Sequence, residues 1–115
     1  MRLEVKKYLY DIHGACELLA GFTRGKTFAD YTADPLLRSG VERQFEIIGE
    51  ALRQVLTIEP GLSCVISESK RIISFRNVLI HAYSSVSDEV VWDVLQTDLP
   101  RLRKEVDGLL GGEGI

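Results

Sequence analysis

The chain has 115 residues, 45% hydrophobic and 27% charged, an ordinary composition for one globular domain with a single core. No apolar run approaches the ~20 residues that cross a bilayer. The start, Met1-Arg2-Leu3-Glu4-Val5-Lys6-Lys7, carries an early acid and no apolar stretch behind a basic one, so no signal peptide is read and the expected location is the cytoplasm. A formal charge of -3 argues against a generic basic coat for nucleic acid but leaves room for a local basic cleft, for which Lys70, Arg71 and Arg76 are candidates.

In chain order, residues 3 to about 21 read as a helix, with Leu3, Val5, Leu9, Ile12, Cys16 and Leu19 on its apolar face. His13 is expected to be a surface or interhelix hydrogen-bonding group. Gly21 and Gly25 mark the end of this helix. Thr27-Phe28-Ala29-Asp30-Tyr31 reads as a linker with at most one helical turn. Asp34-Pro35 opens a second helix, since Asp caps free amides and Pro suits the first helical position. Leu37, Val41, Phe45, Ile48, Leu52 and Val55 give it the most regular periodicity in the chain. Glu42, Glu46 and Glu50 form an acidic stripe on that helix, either a solvated face or a partner for Arg76 or Arg71.

Pro60-Gly61 breaks the pattern, and a third helix is expected from about Ser63–Ser67 to Ala82. Ser87 or Asp88 caps a fourth, which carries Val91, Leu95, Leu99, Leu102, Val106 and Leu109 and should be kinked by Pro100. The expectation is an all-α bundle of four to five helices in one domain, residues 1–110. Residues 111–115 are expected to form a flexible C-terminal tail. Cys16 reads as a core side chain and Cys64 as a loop residue. Two separate cysteines and two separate histidines do not make a zinc site, and no cofactor is called for.

The chemistry concentrates in Arg76-Asn77-Val78-Leu79-Ile80-His81-Ala82-Tyr83. On a helix, Asn77 and His81 lie one turn apart, and Arg76 and Tyr83 two turns apart. Phe75, Val78, Leu79 and Ala82 back them against a core. Arginine offers a planar fork of donors to phosphate, and histidine moves protons near neutrality. The chain has no Gly-rich phosphate loop, HExxH, paired CxxC or nucleophile elbow. An activity at this motif would be metal-free, and RNA is its natural substrate because the ribose 2′-hydroxyl is an internal nucleophile. His81 would transfer protons and Arg76 would clamp the charged phosphorus centre. One histidine is thin for both an acid and a base, whereas two copies paired through this helix would supply both. Ile73 and Ile80 form a second apolar stripe suited to that pairing, or to another helix of the same bundle.

Phe75 to Tyr83 resembles the RX4HXY motif of the HEPN superfamily, in its HepT-like ribonuclease toxin branch. Val41 to Ala51 resembles that family's second-helix run. Val90-Val91-Trp92 with Asp98-Leu99-Pro100-Arg101-Leu102 resembles its last helix, so the likeness covers nearly the whole chain. Two departures are the absence of a Pro-Trp pair before the motif and Ser87 between Val86 and Asp88. The resemblance implies a helical homodimer that cuts RNA without metal, with Arg76 and His81 of both copies in an interface cleft and Asn77 in support. It further implies a partner, an MntA-like nucleotidyltransferase antitoxin, that silences the toxin by transferring AMP to Tyr83. The alternative is a non-catalytic HEPN subunit of a nucleotidyltransferase complex that binds nucleotide or RNA without cutting it.

Overall fold

Three- and four-residue steps of apolar side chains become helices throughout a computed structural model that describes every residue except Tyr83, Ser85, Gly114 and Ile115. Among the described residues there is no strand, and the chain is an all-α bundle. Helix α1 (Leu3–Thr23) buries Val5, Leu9, Ile12, Ala15, Cys16 and Leu19. It runs one half-turn past Gly21, and Gly25 turns the chain at φ 71°, a backbone angle that favours glycine. Leu3, placed on the apolar face by spacing alone, is 82% exposed, because no other element covers the first turn of α1 on that side.

The linker forms a short helix α2 (Phe28–Ala33) closed by a reciprocal cap. The Thr27 hydroxyl accepts from the Asp30 amide at 3.1 Å, and the Asp30 carboxylate accepts from the Thr27 amide at 2.9 Å. Helix α3 (Pro35–Ile58) starts as its sequence requires. Asp34 Oδ1 accepts from the amides of Leu36 and Leu37 at 3.0 and 3.1 Å, and Pro35 occupies a position whose missing N–H costs nothing.

A 3₁₀ turn (Pro60–Cys64) takes up the start expected for the third helix, so α4 (Ser69–His81) begins later than its pattern suggested. Helix α5 (Asp88–Asp93) is capped by Ser87, whose hydroxyl accepts from the Val90 amide. The break expected at Pro100 takes the form of a π turn (Val94–Asp98) ahead of helix α6 (Leu99–Glu113). Proline has no N–H for the carbonyl four residues back and its ring crowds that carbonyl. The wider turn, in which Leu99 N–H reaches Val94 O, absorbs both problems. The helix continues into the Gly-rich end as far as Glu113.

α1 packs on α3 and on α6, and α3 packs on α4. The α3–α4 joint is an edge-to-face pair, Phe45 against Phe75, with centroids 5.2 Å apart and planes at 80°. Trp92 of α5 packs on Phe28 and on the fully buried Tyr31, which seats α2. Polar ties close the bundle. His13 Nδ1 lies 2.8 Å from Asp107 Oδ1 between α1 and α6, as the interhelix reading of His13 required. Glu17 pairs with Arg103 across the same joint. The residues before and within α4 are tied to the C-terminal helices through Ser67–Glu105, Glu68–Arg101 and Arg71 with Asp93 and Asp98. Cys16 is buried and Cys64 exposed. No helix among the described residues is long and apolar enough to cross a membrane.

Candidate functional site

α4 carries the motif, and its apolar face explains its orientation: Ile72, Phe75 and Leu79 are buried. That choice turns Arg76 toward α3 and leaves Asn77 and His81 on the exposed side. Val78 does not join the core as its neighbours do. It is 43% exposed and lines a shallow apolar groove of about 270 Å³ with Val86 and Val90, because α5 covers only the far edge of this face.

The Arg76 side chain is 20% exposed and held at both ends of its guanidinium. Nη1 donates to Asn77 Oδ1 at 2.9 Å, and Nη2 donates to Glu50 Oε2 at 3.1 Å. Nε is buried and meets no acceptor. Glu50 is itself fixed. Arg53 donates to both of its oxygens at 2.7 and 3.2 Å, and Gln54 donates to Oε1 at 3.1 Å. The Arg53 hydrogen bond above all, with Gln54 and the charge of Arg76 behind it, lowers the Glu50 carboxyl to about 2 from an ordinary 4.5. The acidic stripe therefore divides: Glu50 meets Arg76, Glu46 meets Arg43 at 3.4 Å, and Glu42 lies near Asp88 with its carboxyl shifted up by burial.

Gly49 was not marked by sequence reasoning. A Cβ built there would meet Arg76 Cβ at 2.2 Å and Cγ at 2.5 Å, closer than atoms can pack. α3 and α4 thus cross in near backbone contact at the motif arginine. The one available signal was a glycine inside the most regular helical pattern of the chain, where a packing reason is to be expected.

Arg71 does not join Arg76 in a basic cleft. Its guanidinium pairs with Asp93 at 3.0 Å and with the buried Asp98 at 3.0 Å, so its charge is spent within the bundle. Ile80 lies beside Arg76 on an open groove of about 320 Å³ between α1, α3 and α4, where Tyr8 supplies an aromatic wall. The other two cations on that groove, Lys7 and Arg43, are paired with Asp11 and Glu46. His81 is exposed at the last position of α4. Tyr83 lies outside the described residues. No three His, Cys, Asp or Glu side chains among the described residues are grouped to hold a metal ion.

An all-helical bundle with this arginine–histidine helix is of the HEPN type. The chain belongs to the ribonuclease HepT-like family, whose profile matches residues 12–109. It is 35% identical to a probable ribonuclease HepT of Thermococcus cleftensis, over 95% of this chain and 98% of that one. It is 33% identical to a candidate RNase of Caldanaerobacter subterraneus subsp. tengcongensis, over 94% of this chain and 96% of that one. It is 34% identical to a longer Methanocaldococcus jannaschii protein, described as a gamma-glutamylcyclotransferase and candidate RNase, over 92% of this chain but only 47% of that one. The chain thus spans about half of that relative and nearly all of the other two. No solved structure matches it.

Proposed function

We propose that this chain is a metal-independent endoribonuclease, the toxin of a toxin–antitoxin pair, acting as a homodimer whose two motif helices share one cleft. The observation that carries the reading is the held guanidinium of Arg76 on the same short helix as the exposed His81. A single copy offers one imidazole at the motif, and RNA cleavage by internal transfer uses two proton movements. One His81 takes the proton from the ribose 2′-hydroxyl as its oxygen bonds to phosphorus. The His81 of a second copy gives a proton to the departing 5′-oxygen as the P–O5′ bond breaks, leaving a 2′,3′-cyclic phosphate and a 5′-hydroxyl. Arg76 stabilises the charge that builds on the phosphoryl oxygens. The exposed Val78 on α4 and Val90 on α5, which line one groove, supply apolar surface for the pairing.

Silencing follows from charge. AMP transferred to Tyr83 by a nucleotidyltransferase partner would place a phosphate two residues beyond His81 and compete with RNA for Arg76. Co-expression with an active partner should add the mass of AMP to the peptide containing Tyr83, and an unmodified peptide would count against silencing by this route.

The direct test is cleavage of a defined RNA in excess chelator. The wild-type protein should cut, and Arg76→Ala and His81→Ala, shown folded by circular dichroism, should each lose about 10²-fold or more in rate. Equal cutting by both variants would overturn the assignment. Binding without cutting by the wild type would favour the non-catalytic alternative.

A further inference from the structure

The geometry points to Gly49 and Glu50 as the seat of Arg76, with Glu50 a positioning residue of the site. The proposal rests on the ribonuclease reading only for what Arg76 does to substrate, and not for how Arg76 is held.

An arginine side chain has several rotatable bonds and is seldom fixed by one contact. Here three constraints meet. The close crossing at Gly49 brings the backbone of α4 against α3, so the first carbons of Arg76 lie directly over the glycine. The next residue on α3 is then within reach of the guanidinium, and Glu50 Oε2 takes Nη2 at 3.1 Å. Glu50 is not a loose acceptor, because Arg53 and Gln54 hold both its oxygens from the following turn. Asn77 fixes the other end through Nη1. Of the five N–H donors of an arginine, one goes to Asn77, one to Glu50, and the Nε proton is shut away from solvent. One N–H on each terminal nitrogen remains for a phosphate, in a plane that the protein sets in advance.

A carboxylate beside a phosphate-binding cation has two opposite effects. Its charge weakens attraction to the substrate, and its hydrogen bond fixes the cation. Three variants separate them. Glu50→Gln removes the charge but keeps an oxygen at the same reach. Glu50→Asp keeps the charge but withdraws it by one methylene. Glu50→Ala removes both. For a positioning residue, kcat on a short RNA should fall about tenfold to a hundredfold in Glu50→Ala and Glu50→Asp, as misplacement by an ångström does. KM should not rise, and Glu50→Gln should recover most of the wild-type kcat.

A second readout needs no activity. In protein labelled with ¹⁵N-arginine, the Arg76 side-chain signals, assigned by their loss in Arg76→Ala, should be resolved in wild type and Glu50→Gln. They should be averaged by rotation in Glu50→Asp and Glu50→Ala. Unchanged Arg76 signals and unchanged kcat in folded Glu50→Ala would overturn the seat. If Glu50→Ala fails to fold, the contrast between Glu50→Gln and Glu50→Asp carries the same test. If the wild-type protein does not cut RNA, the ribonuclease reading falls and the seat is judged on the signals alone.

Discussion

Gly49 shows how a residue without a side chain can govern one with a long one. Gly49→Ala puts a methyl where Arg76 Cβ already stands at 2.2 Å, so α4 must move off α3. The expected cost is about 1–3 kcal/mol, read as a lower urea midpoint, together with loss of the resolved Arg76 signals. Glu50 sets a pH dependence whose sign is fixed by its lowered carboxyl. Such a group stabilises fully above the free value of 4.5, and its contribution disappears as pH falls toward 2. The unfolding midpoints of wild type and Glu50→Gln should therefore differ at pH 7 and converge near pH 2. Arg76, Asn77 and His81 were legible because they share one short helical string. Gly49 was not, because apolar periodicity reports which face is buried and not how closely two helices cross.

The helices themselves were read well where apolar steps were regular and caps explicit, as at Asp34-Pro35 and Ser87. Errors fell where spacing alone had to decide coverage. Leu3 and Val78 have the right phase for a core, but Leu3 is left uncovered and Val78 is only partly covered by α5. Charge pairing is also invisible in the sequence: Arg71, a candidate with Lys70 and Arg76 for a basic cleft, is the partner of Asp93 and Asp98 instead. Asp98 is 2% exposed, and burial shifts its carboxyl up while Arg71 opposes the shift. Arg71→Ala would leave that acid buried without its cation, at a cost of about 1–3 kcal/mol. An acid with a raised folded value takes up a proton at a higher pH than a free carboxyl does. The cost of Arg71→Ala, measured by denaturant unfolding, should therefore shrink as the buffer is taken from neutral pH toward acid.

For the whole molecule, sequence gave the family and the class of fold but not the joints between elements. The clasp of α1 to α6 by His13–Asp107 and Glu17–Arg103 joins residues far apart in the chain, and no local pattern announces it. The proposed pairing of two copies is testable at this scale. Val78→Glu with Val90→Glu adds charge at positions 43% and 51% exposed, so each subunit should still fold. Light scattering should then report one chain mass where the wild type shows two, and RNA cleavage should be lost with the pairing. A wild type that is monomeric while it cuts RNA would remove the shared cleft.

The π turn at Val94–Asp98 is, for the molecule as a whole, a phase shifter. It inserts an extra residue between α5 and α6, so everything after it points about 100° away from where an unbroken helix would aim it. Replacing Pro100 so that an ordinary helix forms over the same number of residues would swing Leu102 and Val106 out of the core, whereas deleting one residue as well would restore their phase. The rotation that follows loss of the wide turn alone would carry Arg101 and Glu105 away from Glu68 and Ser67. One wide turn, by absorbing a surplus residue, thus keeps the last helix in step with the ties that anchor the start of α4.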